Sequence, residues 1–168
     1  TFAEDEVIEL FSELEPDDRV RLMEELPARV AKKVITSLSR EERAKTAILL
    51  GYSPQTAGRI MIPEYIRLRR GDTVETALKK IQQNEEEKET FYTLYVTDNE
   101  RKLVGCVSLL TLVISSPQQK IEEIMNADPP SVTTNTDQEE VARIFRQRDL
   151  LAVPVVDGEN RLVGVITV

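Results

Sequence analysis

The sequence predicts an α+β chain: an all-α superhelical lobe over residues 1–52, then two copies of a βαββα unit over 53–120 and 121–168. Three observations predict it. Leucine recurs every twelve residues at Leu14, Leu26, Leu38 and Leu50, with Leu22 and Val34 on the same interval. Ile60-Met61 is echoed by Ile124-Met125, and each pair leads into an extended stretch. Tyr95 to Ser108 then aligns without a gap on Pro154 to Thr167, two β-rich runs around a polar turn, which is a hairpin signal.

The first fifty residues read as short helices. Pro16 and Pro27 suit first-turn positions, and Ser39 with Glu42 makes a capping box. Each helix is too short to bury an apolar face alone, so stacking into a superhelix is the expected solution, with a plain helical bundle as the alternative. In the repeated unit, Val74, Ala77, Leu78 and Ile81 mark one helix, and Gln138, Val141, Ala142 and Phe145 mark its counterpart. Thr136 followed by Glu139 reads as the capping box of the second. The first unit carries about five surplus residues around Asn84 to Glu89, and its acidic run Glu85-Glu86-Glu87 reads as a solvated loop. Gly105 and Gly164 sit inside strand patterns, where a missing side chain permits close backbone approach. The second unit stops at Val168 before its last helix, so the chain is expected to be a piece of something longer.

Composition closes several doors. Of 168 residues, 40% are apolar and 31% charged, enough for a buried core. There is no histidine and one cysteine, Cys106, which excludes imidazole-dependent triads, the usual zinc ligand sets and an internal disulfide. Cys106 lies in a strand pattern, and its expected role is that of a small buried apolar residue. Acids outnumber bases 30 to 22, for a net charge of -8, so nucleic acid is not an expected partner. No nucleophile–base constellation or glycine-rich phosphate loop is present, and an enzyme is not expected. The longest uncharged stretch, Leu103 to Gln119, has 17 residues with several polar ones inside, short of the ~20 apolar residues of a membrane-spanning helix.

The tandem unit resembles a pair of CBS (cystathionine-β-synthase-type) domains, about 60–116 and 121–168. The features that carry it are the Ile-Met opening, the Asp98…Leu103-Val104-Gly105 and Asp157…Leu162-Val163-Gly164 hairpins, and the Ser108 and Thr167 that follow. With Ala57-Gly58-Arg59-Ile60-Met61-Ile62-Pro63-Glu64-Tyr65 and Asp137-Gln138-Glu139-Glu140-Val141-Ala142-Arg143, nearly the whole chain resembles the cytosolic region of MgtE-type magnesium transporters. The resemblance implies a helical N domain, a CBS pair that homodimerises, and a C-terminal transmembrane channel domain outside this chain, on whose cytoplasmic side the present region lies. It implies magnesium as the regulatory ligand, bound between acidic faces and holding a closed, compact form.

The family's metal-contacting acids match Asp149, Asp137, Glu139 and Asp17, and Arg59 matches a position offering a backbone carbonyl. Bottom-up, Asp149 follows a helix whose C-terminal end disfavours negative charge, whereas Asp137, Glu139 and Asp17 sit in first turns that favour it. Arg21 stands where the family has an acid. Magnesium keeps most of its water and needs only one or two carboxylates per site. Turning a 1:99 equilibrium into 99:1 takes about 5.5 kcal/mol, which four sites of tenfold preference would supply. The competing expectation is an adenine-nucleotide sensor with ATP between the units, as in many CBS pairs. There a ribose-binding aspartate ends a Gly-x-x-(Ser/Thr)-x-x-Asp pattern, and Gly105…Ser108…Thr111 has threonine in its place. A pure dimerisation scaffold is the third.

Overall fold

The computed structural model describes residues 2–84 and 92–168; the run Glu85-Glu86-Glu87 lies outside them. Four helices open the chain: α1 (Phe2–Glu13), α2 (Pro16–Glu25), α3 (Ala28–Ser37) and α4 (Arg40–Leu50). α1 packs on α3 and α2 on α4, so each helix rests on the next but one, as in a superhelical stack. The twelve-residue leucine period marks the joints of that stack: Leu26 and Leu38 are the residues that end α2 and α3. Phe11, Val34 and Leu38 form a small core with Ile8, Leu22, Met23, Leu26 and Val30 packed on it.

Arg19 completes this lobe from inside. It is 4% exposed. Its Nε and Nη2 donate to the carbonyls of Phe11 (3.1 Å) and Ser12 (3.0 Å) at the end of α1, and Nη1 pairs with Glu42. The caps differ in detail from expectation. Pro16 is the first residue of α2, but Pro27 stands just before α3 as its N-cap. Ser39 Oγ accepts from Glu42 N at 3.2 Å, yet the Glu42 carboxylate turns to Arg19 and Lys45 rather than back to Ser39. Only half of that capping box forms.

After a short helix α5 (Ala57–Ile60), the first unit runs β1 (Arg67–Arg69), α6 (Val74–Gln83), β2 (Thr93–Thr97), β3 (Leu103–Ser108) and α7 (Leu109–Ile114). The second runs α8 (Ile121–Ile124), β4 (Asn126–Ala127), β5 (Val132–Thr133), α9 (Gln138–Arg148), β6 (Ala152–Val156) and β7 (Leu162–Thr167). One sheet has the order β1-β2-β3-β4, the other β5-β6-β7. In both, the first strand pairs parallel with the second, which returns as an antiparallel hairpin with a register shift at the same place, Val96/Thr97 and Val155/Val156. The motif aspartates build the hairpin turns. Asp98 Oδ1 accepts from the amides of Glu100 and Lys102, and Asp157 Oδ1 from those of Glu159 and Arg161, each at 2.9 Å.

The Ile-Met opening of each unit packs on the other unit's sheet. Ile62 and Val165 exchange backbone hydrogen bonds of 2.7 and 3.0 Å, and β4 pairs with β3. A Cβ on Gly164 would stand 2.7 Å from Met61 Cγ, and one on Gly105 2.6 Å from Met125 Sδ. This is why both hairpins carry glycine there. The sheets meet over Tyr95, Leu103, Val156, Leu162 and Val165.

The cap of α9 lies one residue beyond its expected place. Asp137 is the N-cap, its Oδ1 accepting from Glu139 N at 2.8 Å. Thr136 Oγ1 instead accepts from Thr133 N at 3.0 Å, so the β5 turn has claimed it. Gln138 is exposed and Ile144 replaces it in the buried face of the helix with Val141 and Phe145.

Candidate metal centre

α2 carries Asp17, Val20, Arg21 and Glu24 at spacings of three and four, one stripe of a single face. That stripe meets α5 and the start of α9 around a cleft of about 250 Å³, which Arg59 and Gln138 close. Asp17 and Arg59 are thus brought together, beside the Asp137–Glu139 segment. Oδ1 of Asp17 is buried there.

Arg59 offers this cleft its side chain. Its Nη1 donates to Tyr52 O at 2.6 Å and its Nη2 pairs with Glu24 at 2.8 Å, with the side chain 13% exposed. A second bridge lies nearby, where Lys45 of α4 pairs with Glu64 in the stretch leading to β1. Burial works against the Lys45 ammonium, but the carboxylates of Glu64, Glu42 and Glu41 outweigh it and hold its pKa above the ordinary lysine range. Sequence reasoning missed Glu24, Glu64 and Lys45 in these roles. The Asp17–Arg21–Glu24 periodicity was a usable signal for the first, whereas Lys45–Glu64 joins distant residues with no pattern to reveal it.

Asp149 stands apart from the cleft. It ends α9 in the left-handed conformation, with φ 49°, and is exposed. Twelve residues of helical rise, roughly 18 Å, separate it from Asp137. Among the described residues, no three Asp, Glu or Cys side chains converge as a preformed metal cage. The exposed carboxylates of Asp149, Asp137 and Glu139 fit a magnesium ion that keeps its water and takes one or two protein ligands. In the cleft, the Arg59 guanidinium is already engaged by Glu24 and by the carbonyl of Tyr52.

Two family models divide the chain at the same joint. The MgtE intracellular N domain matches residues 1–55, and the CBS domain matches residues 57–115 and 121–168. The chain belongs to the MgtE family. It is 42% identical over 131 residues to the magnesium transporter MgtE of Thermus thermophilus, covering 78% of this chain and 29% of that protein. It is 32% identical over 157 residues to MgtE of Bacillus subtilis, covering 94% and 35%. The chain therefore spans about a third of the length of these relatives. Among solved structures, the cytosolic domain of the Mg2+ channel MgtE in complex with ATP shares the fold at TM-score 0.89 and 38% identity, covering 95% of this chain and 66% of that one. The soluble part of a magnesium transporter matches at 0.90 and 35%, covering 96% and 63%. The α+β reading, a helical MgtE N domain before a CBS pair, holds on these grounds. No described helix is long and apolar enough to cross a membrane.

Proposed function

We propose that this chain is the magnesium-sensing regulatory region of an MgtE-type transporter or channel, at the cytoplasmic side of the membrane. The observation that supports this best is the likeness of both lobes, joined in the same order and geometry, to MgtE proteins. Magnesium bound at exposed carboxylates, with Asp149 foremost and Asp137 and Glu139 at the other end of α9, would favour the closed pore of the longer protein. An ion that binds one form better shifts the population toward it, and several weak sites add. No catalytic role is proposed. The CBS pair would homodimerise through α7, whose Leu110, Val113 and Ile114 are 69%, 63% and 75% exposed beside Tyr92. That apolar face is costly in water and suits a second copy.

The test is direct. Magnesium is titrated into the isotopically labelled chain while backbone amides are followed by NMR. Saturable shifts around Asp149 that vanish in Asp149→Ala are expected; a titration unchanged by that substitution removes the residue from the site. A second reading, a nucleotide sensor, draws on the relative solved with ATP. Here Thr111 replaces the ribose-binding aspartate of many CBS pairs, and its hydroxyl lies 2.8 Å from Ser108 Oγ in the cap of α7. Calorimetric binding of ATP without any magnesium-dependent shifts would move the conclusion to that reading.

A further inference from the structure

We propose that the first CBS unit carries an oxyanion site at the carboxyl ends of β1 and β2, built for the phosphate group of a small ligand around the buried hydroxyl of Thr97. It uses none of the carboxylates proposed to sense magnesium.

The strand order sets its place. β1 and β2 run parallel, and Arg69 pairs with Thr97 at their last rung. Parallel strands joined through a helix open a crevice at that end, where α/β sheets commonly hold their ligands. Here it is a cleft of about 500 Å³ between the turn after β1 and the hairpin turn after β2, lined by Arg69, Arg70, Thr97 and Asn99. That is the size of a small-molecule site.

Thr97 is the reason to expect an occupant. It is 1% exposed, and its Oγ1 is buried without a hydrogen-bond partner. Leaving a hydroxyl in that state costs about 1–3 kcal/mol. The fold does not require it. The repeat places Val156, the same shape without the hydroxyl, at the matching position of the second unit, packed in the core between the sheets. Thr133 pairs with Val156 there as Arg69 pairs with Thr97 here, so Thr133 and Thr134 stand where the first unit has Arg69 and Arg70. The spare hydroxyl and both guanidiniums thus belong to the first unit alone, and they line one cleft.

Charge decides the class of ligand. The acids at the cleft are already engaged. Asp72 Oδ2 accepts from Arg69 N at 2.9 Å and from Lys80 Nζ at 2.8 Å, and Asp98 Oδ1 accepts from the amides of Glu100 and Lys102. Among the described residues, no carboxylate pairs with the Arg69 or Arg70 guanidinium. Two open guanidiniums in a chain of net charge -8 call for an anion. Their forks match phosphate oxygens, and the Thr97 hydroxyl adds a third donor. The nucleotide cleft of many CBS pairs lies elsewhere. Thr111 follows Ser108, which pairs with Thr93 at the opposite end of β2, four residues or roughly 13 Å from Thr97.

The test titrates inorganic phosphate into the labelled 168-residue chain at constant ionic strength, in buffer freed of divalent ions, with backbone amides followed by NMR. Saturable shifts at Arg69, Arg70 and Thr97 are expected. Thr97→Val should weaken binding about tenfold, the loss of a hydrogen bond to a charged group. Arg69→Ala with Arg70→Ala, on the exposed rim, should abolish it while circular dichroism stays that of the wild type. Without phosphate, Thr97→Val should melt no lower than wild type, because valine already serves the fold at position 156; phosphate should then raise the melting temperature of the wild type alone. A parallel titration with glycerol phosphate separates the free ion from its ester. Tighter binding of the ester makes the occupant a phosphomonoester, equal binding makes it inorganic phosphate, and either supports the site. No saturable shift with either ligand, shifts that acetate reproduces, unchanged binding by Thr97→Val or by the arginine variant, or a Thr97→Val chain that melts lower overturns it. Since no divalent ion is present, none of these outcomes bears on magnesium sensing.

Discussion

Asp149 combines two unfavourable choices at one position: a non-glycine residue at positive φ, and a negative charge at the C-terminal end of a helix. Glycine or asparagine would serve the fold better. Replacing Asp149 with Asn should therefore stabilise the chain by about 0.3–1 kcal/mol, raising the melting temperature by about 1–3 °C, while weakening the magnesium response. A melting curve and the NMR titration together read this trade; a destabilised Asn variant would refute it. Gly164 is the opposite case, fully committed to packing. Gly164→Ala forces a methyl into Met61 and should cost about 1–3 kcal/mol in urea unfolding. Both glycines were legible in the sequence as interruptions of strand patterns. Their partners were not, because Met61 and Gly164 are about a hundred residues apart and nothing local links them.

At the scale of elements, the N lobe depends on an ion pair between the buried Arg19 and the half-buried Glu42. Arg19 holds the Glu42 carboxyl below the usual carboxylate range, with Lys45 adding to the effect. A lowered folded-state pKa means that the stability is complete above the unfolded value, about pH 4.3, and is lost as pH falls through the folded one. The N-lobe helices should thus melt in that acid window, followed by circular dichroism. Arg19→Ala should cost about 1–3 kcal/mol and flatten this dependence, since it removes one of the two cations on Glu42 and leaves the carbonyls of Phe11 and Ser12 without their donor. Helix positions and apolar faces were readable here from periodicity. Cap identities slipped by one at Asp137 and were half right at Ser39, because neighbouring hydroxyls and carboxylates compete and tertiary partners choose among them.

For the whole molecule, the exposed α7 face predicts association. Ile114→Glu should turn a dimer into a monomer in size-exclusion chromatography with light scattering, leaving the fold unchanged; a wild-type monomer would remove α7 as an interface. The same scale explains how the candidate site divides. Asp17, Arg59 and the start of α9 meet because α5 packs against α2, α9 and the strands β5 and β7, while Asp149 lies at the far end of α9.

The amino-acid sequence alone determined the helical lobe, the two CBS units and their hairpins, and the acidic, histidine-free character suited to a hard cation. Those features arise from local periods, turn chemistry and composition, which need no knowledge of distant neighbours. Tertiary structure decided that each Ile-Met opening serves the opposite sheet, and that Arg59 presents its guanidinium to Glu24 in the cleft beside Asp17. Such pairings join elements far apart in the chain, and a charge shows its partner only once the backbone has brought the two together.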